Sequence, residues 1–88
     1  MEFDLNRGWR LNPAVALRPE PFGALAYHFG NRRLSFLKTP RLVTVVRLLD
    51  SQASAAAALD AAGVSTRERA RYAAALAALA DSEVIDAR

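Results

Sequence analysis

Apolar and polar positions alternate most clearly in the first half of the chain, over the stretch AYHFGNRRLSFL. This alternation predicts two antiparallel strands, from Phe22 to Phe29 and from Arg32 to Lys38. Between them, Gly30-Asn31 fits a two-residue type II′ turn, whose twist matches that of the flanking strands. The predicted register pairs Tyr27 with Leu34, Leu25 with Phe36, Ala26 with Ser35 and Ala24 with Leu37.

This register gives the hairpin one face of large apolar side chains and one face of small or polar side chains. The first face carries Leu25, Tyr27, Phe29, Leu34 and Phe36, and the second carries mostly Ala24, Ala26, His28, Arg33 and Ser35. A sheet with one buried face usually turns its larger apolar side chains toward the core. We therefore expect the aromatic face to be buried and His28 to be solvated.

The remaining elements follow from turn and capping signals. Residues 1–13 form an N-terminal arm without clear periodicity, and a single domain spans residues 14–88. A short strand from Ala14 to Arg18 stops at the following Pro-Glu-Pro, because proline removes a ladder donor.

After residue 38 the apolar period becomes helical. Thr39 and Pro40 begin a first helix, and Ser51 or Ser54 begins a second, which ends at Gly63. Ser65 and Glu68 form a capping box for a third helix, which runs to about Asp81 and carries the apolar residues Tyr72, Leu76 and Leu79. Val84 and Ile85 should pack back under the core. Three strands followed by three helices (βββααα) predict a small α+β domain of the winged helix-turn-helix-like type.

Composition excludes several classes of chemistry. The chain has no cysteine and one histidine, so we expect neither a thiolate nucleophile nor a clustered metal site, and no cofactor. Its four glycines are too far apart for a phosphate-binding loop. The carboxylates are scattered over loops and helix ends. No apolar run reaches the ~20 residues that span a membrane, and the N-terminus does not resemble a signal peptide. We expect a cytoplasmic binding protein and not an enzyme.

Twelve Lys and Arg against nine Asp and Glu give a net charge of +3 and a pI near 10.2. This balance favours an anionic partner, either nucleic acid or an acidic peptide. Arg67 and Arg71 lie four residues apart on the third helix, and Arg33 lies near the hairpin tip. These arginines either border one groove between the last strand and the last helix or are ordinary solvated side chains.

Two binding functions are consistent with this pattern. A helix-turn-helix with a two-stranded wing suggests duplex DNA, yet here the hairpin precedes every helix. The third helix is also almost pure alanine after Tyr72 and lacks side chains that read bases. The alternative is capture of an extended peptide by the last strand, whose outer edge has no following strand. We expect the amide of Ser35 to be one of the donors at that edge.

The run WRLNPAVALRPEPFGALAYHFGNRRLSFLKTPRLVTVVRLL resembles the mycofactocin-system peptide chaperone family (MftB), a relative of the PqqD-like recognition elements for ribosomally made, modified peptides (RiPPs). The resemblance covers nearly the whole chain and is strongest over residues 9–49. It implies a non-catalytic chaperone that binds the leader of a precursor peptide as an extra strand and presents it to a radical SAM maturase. Such leaders are expected to be acidic and apolar. We expect no nucleic-acid or membrane partner, and either a monomer or a weak homodimer.

The resulting prediction for the site combines the last strand with the last helix. Backbone pairing is assigned to Arg32–Leu37 of the last strand. Leu34 and Phe36 form the groove floor, Arg33, Arg67 and Arg71 are charge contacts, and Tyr72 and Ala75 form the helical wall. The full set of predicted peptide-binding residues is Arg32, Arg33, Leu34, Ser35, Phe36, Leu37, Arg67, Arg71, Tyr72 and Ala75.

Overall fold

The computed structural model describes residues 3–88. It confirms a three-stranded antiparallel sheet followed by three helices, and it adds a two-stranded ribbon formed by the chain ends. The strands are β1 (Trp9–Leu11), β2 (Val15–Glu20), β3 (Gly23–His28), β4 (Leu34–Leu37) and β5 (Ile85–Ala87). The helices are α1 (Pro40–Leu48), α2 (Ala55–Ala61) and α3 (Arg69–Asp81), with short 3-10 turns at Leu49–Ser51 and Thr66–Glu68.

The predicted register of the hairpin is confirmed, whereas its predicted turn is wrong. Ala24 pairs with Leu37 and Tyr27 with Leu34, as the alternation indicated. The connection is longer than two residues, because the amide of Arg32 donates to the carbonyl of His28 at 2.7 Å. The left-handed residue is Arg32, with φ 63°, and not Gly30.

The turn differs because the imidazole of His28 organises it. His28 Nδ1 accepts hydrogen bonds from the amides of Gly30 at 2.9 Å and Asn31 at 3.1 Å. A Cβ on Gly30 would lie 2.8 Å from His28 Cε1, so glycine is required here for close approach rather than for a positive φ. The expectation of a solvated His28 is therefore wrong: the side chain is buried.

The two faces of the hairpin are inverted relative to the prediction. The inner face, which packs on the helices, consists of Ala24, Ala26, His28 and Leu37, all buried, with Ser35 half-buried at its end. The outer face consists of Leu25, Tyr27, Phe29, Leu34 and Phe36, with Phe22 beside it. Small side chains lie inside because α1 packs directly on β3 and brings its buried residues Val45 and Val46 to the core. Tight packing, rather than side-chain size, selects the buried face.

The helix signals are confirmed. The hydroxyl of Thr39 accepts from the amide of Leu42 at 3.1 Å, and Ser54, one of the two candidate caps of α2, accepts from Ala57 at 3.1 Å. After α2, Gly63 has φ 78°, and Val64 donates to the carbonyl of Leu59, which ends the helix in a left-handed cap. Ser65 and Glu68 form the predicted capping box before α3.

The two ends of the chain meet under the core. Within the predicted arm, β1 pairs antiparallel with β5, joining Trp9 to Ala87 and Leu11 to Ile85. Residues 1 and 2 of that arm lie outside the described residues. Val84 and Ile85 are fully buried, as the sequence predicted. The ribbon holds the end of α3 against the rest of the domain and so helps to fix the helix that faces β4.

Candidate functional site

One edge of the three-stranded sheet is open. In the strand order β2-β3-β4, β4 pairs with β3 on one side and with no described strand on the other. Facing pairs in an antiparallel ladder alternate between hydrogen-bonded and non-hydrogen-bonded. The amide of His28 donates to Arg33 on the β4 side, whereas the amide of Phe29 donates to Ala14 on the β2 side. Even-numbered residues of β3 therefore bond to β4.

This alternation fixes which β4 amides are available. Ser35 and Leu37 face Ala26 and Ala24, so their backbone groups point inward to β3. The N–H and C=O groups of Leu34 and Phe36 point to the open edge. The expectation that the Ser35 amide is an edge donor is wrong, since that amide belongs to the ladder.

A groove of about 700 Å³ runs between β4 and α3. One side is lined by β4 and the residues that lead into α1, and the other by a face of α3. The lining residues are Ser35, Phe36, Lys38, Thr39, Leu42, Arg71, Tyr72, Ala75, Ala78, Leu79 and Ser82. Most of the lining from α1 and α3 is apolar, so the groove offers apolar contacts beside a strand edge that offers hydrogen bonds.

The α3 wall is a stripe of mostly small side chains. Arg71, Ala75, Ala78 and Ser82 are spaced i, i+4, i+7 and i+11, which places them on one face of the helix. Behind them, Tyr72 and Leu79 are buried and fill the base of the groove. Small wall residues allow another backbone to lie close to the helix.

One end of the groove is closed by polar contacts between the hairpin and the end of α3. The hydroxyl groups of Ser35 and Ser82 lie 3.3 Å apart. The amide of the Asn31 side chain donates to the carbonyl of Ser82 at 3.3 Å and to the carboxylate of Glu83 at 3.1 Å. These contacts fix the hairpin tip relative to the helix and so set the width of the groove.

Two cations lie in the groove lining, on opposite sides. Lys38 follows β4, and Arg71 lies on α3, where it contacts the carboxylate of Glu68 at 3.0 Å and lies 5.9 Å above the ring of Tyr72. Hydrogen bonds from the Ser65 side chain and backbone lower the pKa of Glu68, and Arg41 and Arg71 act in the same direction. This carboxylate therefore stays ionised and holds Arg71 in place at neutral pH.

The structure brings about half of the predicted site residues together. Ser35, Phe36, Arg71, Tyr72 and Ala75 line the groove. Leu37 is buried in the core, and the side chain of Leu34 lies on the outer face, so Leu34 is not part of the groove floor. Arg32 and Arg33 lie at the hairpin turn, and Arg67 lies in the 3-10 turn before α3. None of the three lines the groove.

Sequence reasoning missed Lys38, Thr39, Leu42, Ala78, Leu79 and Ser82 as lining residues. Helical spacing from Arg71 and Ala75 could have found Ala78 and Ser82, because all four share one stripe. The contribution of Leu42 depends on how α1 packs, for which the sequence has no local signal. Among residues 3–88, no cluster of three or more His, Cys, Asp or Glu side chains is placed to hold a metal ion. No helix within that range is long and apolar enough to cross a membrane.

Comparisons with known proteins agree with the resemblance noted in the sequence. The family model described as the peptide chaperone MftB family matches residues 8–86. A peptide chaperone MftB from Mycobacterium ulcerans is 53% identical over 94% of this chain and 76% of its own length. The protein of the same name from Mycobacterium tuberculosis is 50% identical over 96% of this chain and 77% of its own length. No solved structure matches the chain significantly.

Proposed function

The chain belongs to the peptide chaperone MftB family, and the role of a chaperone is to bind rather than to catalyse. We propose that it captures a precursor-peptide leader as an added strand on β4. The observation that carries this proposal is the open β4 edge facing the small-residue stripe of α3 across the groove. An extended peptide in that position gains main-chain hydrogen bonds from the edge and side-chain contacts from the groove.

The geometry supports strand addition in two respects. Leu34 and Phe36 each present an N–H and a C=O to the edge, which is enough to bond a peptide segment of three or four residues. The groove volume of about 700 Å³ falls within the range of about 300–1,000 Å³ typical of ligand sites. Peptide side chains that point inward would meet Leu42, Tyr72 and Leu79.

The partners follow from the family resemblance. The peptide is the leader of a mycofactocin-type precursor, acidic and apolar in character, and the chaperone presents it to a radical SAM maturase. Lys38, which is in no ion pair with residues 3–88, supplies positive charge beside the edge for an acidic leader, and Arg71 lies across the groove in a pair with Glu68. Because this chain has no cysteine, the iron–sulfur clusters of such a reaction would have to be held by the maturase.

Duplex DNA is less well supported as a ligand. At the start of α3, where a recognition helix would meet phosphate, Glu68 is ionised and accepts from Arg71 and Arg41. Arg69 is paired with Asp60. A DNA-binding surface needs such cations to neutralise phosphates, whereas here they pair with carboxylates of the same chain.

Amide hydrogen exchange with a synthetic mycofactocin-type leader peptide tests strand addition directly. In the free chain the amides of Leu34 and Phe36 should exchange fast, and those of Ser35 and Leu37 slowly, because only the latter bond to β3. Saturating leader should slow Leu34 and Phe36 by a larger factor than Ser35 and Leu37, which slow only as far as binding stabilises the whole domain. Duplex DNA at the same concentration should slow none of the four. Slowing confined to residues 62–67, with DNA and not with the leader, would favour the DNA-binding alternative.

A pair of proline variants separates the edge from the ladder. Phe36→Pro removes an open-edge donor and should abolish leader binding while the domain stays folded, as edge strands tolerate proline. Phe36→Ala is its control for loss of the ring and should bind more weakly than wild type yet measurably. Ser35→Pro removes a ladder bond and should destabilise the domain itself. Wild-type leader affinity in a folded Phe36→Pro variant would contradict strand addition.

A further inference from the structure

The outer face of the sheet is an exposed apolar surface that meets the groove only at Phe36. Phe29, Leu34 and Phe36 are 63%, 54% and 55% exposed, and Phe22 is 40% exposed. The rings pack in two pairs. The ring centroids of Phe22 and Phe36 are 6.1 Å apart, and those of Tyr27 and Phe29 are 4.9 Å apart in an edge-to-face arrangement. Contiguous exposed apolar side chains of this kind mark interaction surfaces.

We infer that Leu34 and Phe36, the part of the outer face beside the open edge, form the second half of the peptide site, so that the captured strand is recognised on both of its sides. This inference rests on the proposed strand addition to β4. It names the class of peptide that binds: an apolar triplet of consecutive residues flanked by carboxylates.

The first step is a consequence of the register. Leu34 and Phe36 point their backbone groups to the open edge and their side chains to the outer face. Residues directly opposite one another on neighbouring strands have side chains on the same face. The two peptide residues opposite Leu34 and Phe36 must therefore extend over the outer face.

The peptide residue between them points the other way. It lies opposite Ser35, whose side chain is on the inner side of the sheet and lines the groove. This middle residue enters the groove toward Tyr72 and Leu79. Three consecutive peptide residues thus meet apolar surface, unlike the alternating pattern of a strand that has only one buried face.

Charge sets the flanks and favours a peptide over a second copy of this chain. Arg33 comes just before the residues Leu34–Phe36 that pair with the peptide, and Lys38 lies two residues after them. Both side chains are exposed, and neither is in an ion pair with any residue in the range 3–88. Carboxylates at either end of the triplet would neutralise them. A second copy stacked on this face would bring the same cations together instead.

The test begins with selection of binders from a random linear peptide library against the intact chain. The library should yield peptides with three consecutive apolar residues flanked by Asp or Glu. In a resynthesised binder, replacing either outer residue of the triplet by Asp should weaken binding roughly fivefold to tenfold, as expected for loss of an aromatic or aliphatic cross-strand contact. Replacing the middle residue should also weaken binding.

Variants of the chain then assign the outer positions. Leu34→Ser and Phe36→Ser change exposed side chains. Each should reduce the loss of affinity that Asp causes at the opposite peptide position, because substitutions of two side chains in direct contact are not additive. Phe29→Ser is the control: Phe29 is on the same face but lies next to the turn, away from the edge, and its loss should change affinity less than about twofold.

The outcomes separate this inference from the proposed function. If N-methylation of the peptide backbone and the middle substitution weaken binding while Asp is accepted at both outer positions, strand addition stands and recognition on the outer face is overturned. If the library yields no binder, or N-methylation has no effect, the proposed function itself fails. Concentration-dependent sedimentation of the free chain that Leu34→Ser abolishes, with peptide affinity unchanged, would identify the outer face as a contact between copies and would also overturn the inference.

Discussion

The two faces of the three-stranded sheet contrast in a way that their composition does not suggest. In the β3–β4 hairpin the inner face holds two alanines, a histidine and a leucine, all buried, and the half-buried Ser35, whereas the outer face holds aromatic and leucine side chains that are exposed or half-buried. The difference arises from the helices: α1 can pack closely only on a surface of small side chains, and its own valines then fill the core. Burial here follows shape complementarity between layers, and the large side chains remain available for binding.

The contrast is sharpest between two neighbouring residues of β4. Leu37 is fully buried and Phe36 is 55% exposed. Leu37→Ala should lower the free energy of unfolding by about 2–4 kcal/mol, because it removes buried methyl groups and leaves a cavity. Phe36→Ala should lower it by less than about 1 kcal/mol. Urea unfolding measures both values, and equal losses would mean that the two faces do not differ in burial.

Overpacking gives the next largest effect. Ala26 is fully buried where β3 meets the helices, and Ala26→Leu should cost about 1–3 kcal/mol, because α1 would have to move away from the sheet. The same substitution at Ala16, which faces Tyr27 on the exposed side of the sheet, is the control and should be within about 0.5 kcal/mol of wild type. Thermal or urea unfolding of the two variants checks this, and a stable Ala26→Leu would show that the inner face has spare volume.

His28 contributes to the inner face through its hydrogen bonds as well as its packing. His28→Phe keeps a ring but removes the acceptor of the Gly30 and Asn31 amides, and we expect a loss of about 1–2 kcal/mol. Hydrogen exchange at those two amides should accelerate. His28→Asn is the control, because its side-chain oxygen can accept from the backbone two residues on and should keep the amide of Gly30 protected. Unchanged exchange in the Phe variant would contradict a structural role for the imidazole.

These elements also show how far the sequence predicts the molecule. The pairing register follows from alternation alone, and the helix ends follow from local residues such as Thr39, Ser54 and Gly63, whose side chains or φ angles act within one turn. Local sequence does not predict which face of the hairpin is buried, since helices could cover either face and the packing of α1 on β3 determines which one. The pairing of Trp9 with Ala87 joins residues far apart in sequence and has no local signature.

The candidate site was predictable to a similar extent. An edge strand facing a helix follows from the element order, and the groove that the structure shows lies between these two elements. The edge donors do not follow from the register, because the register says which residues face each other but not which facing pairs are hydrogen-bonded. In the structure the amide of Ser35 points to β3 and not to the open edge. Charge and helical spacing predict Arg33, Arg67 and Arg71 as contacts, and of these three only Arg71 lines the groove, together with Lys38.

The smallest expected effect is at Phe29, the most exposed of the large apolar side chains of the outer face. Phe29→Ser removes an edge-to-face contact with Tyr27, and we expect a loss of about 0.5–1 kcal/mol in the free energy of unfolding. The amide of Phe29 still donates to Ala14 in this variant, so the end of β3 should stay paired. Urea unfolding with the same m-value as wild type would show that the compactness of the domain is unchanged. A loss as large as that of Leu37→Ala would mean that the outer face supports the fold as the core does, and its aromatic side chains would then be part of a second core rather than a surface free to bind a peptide.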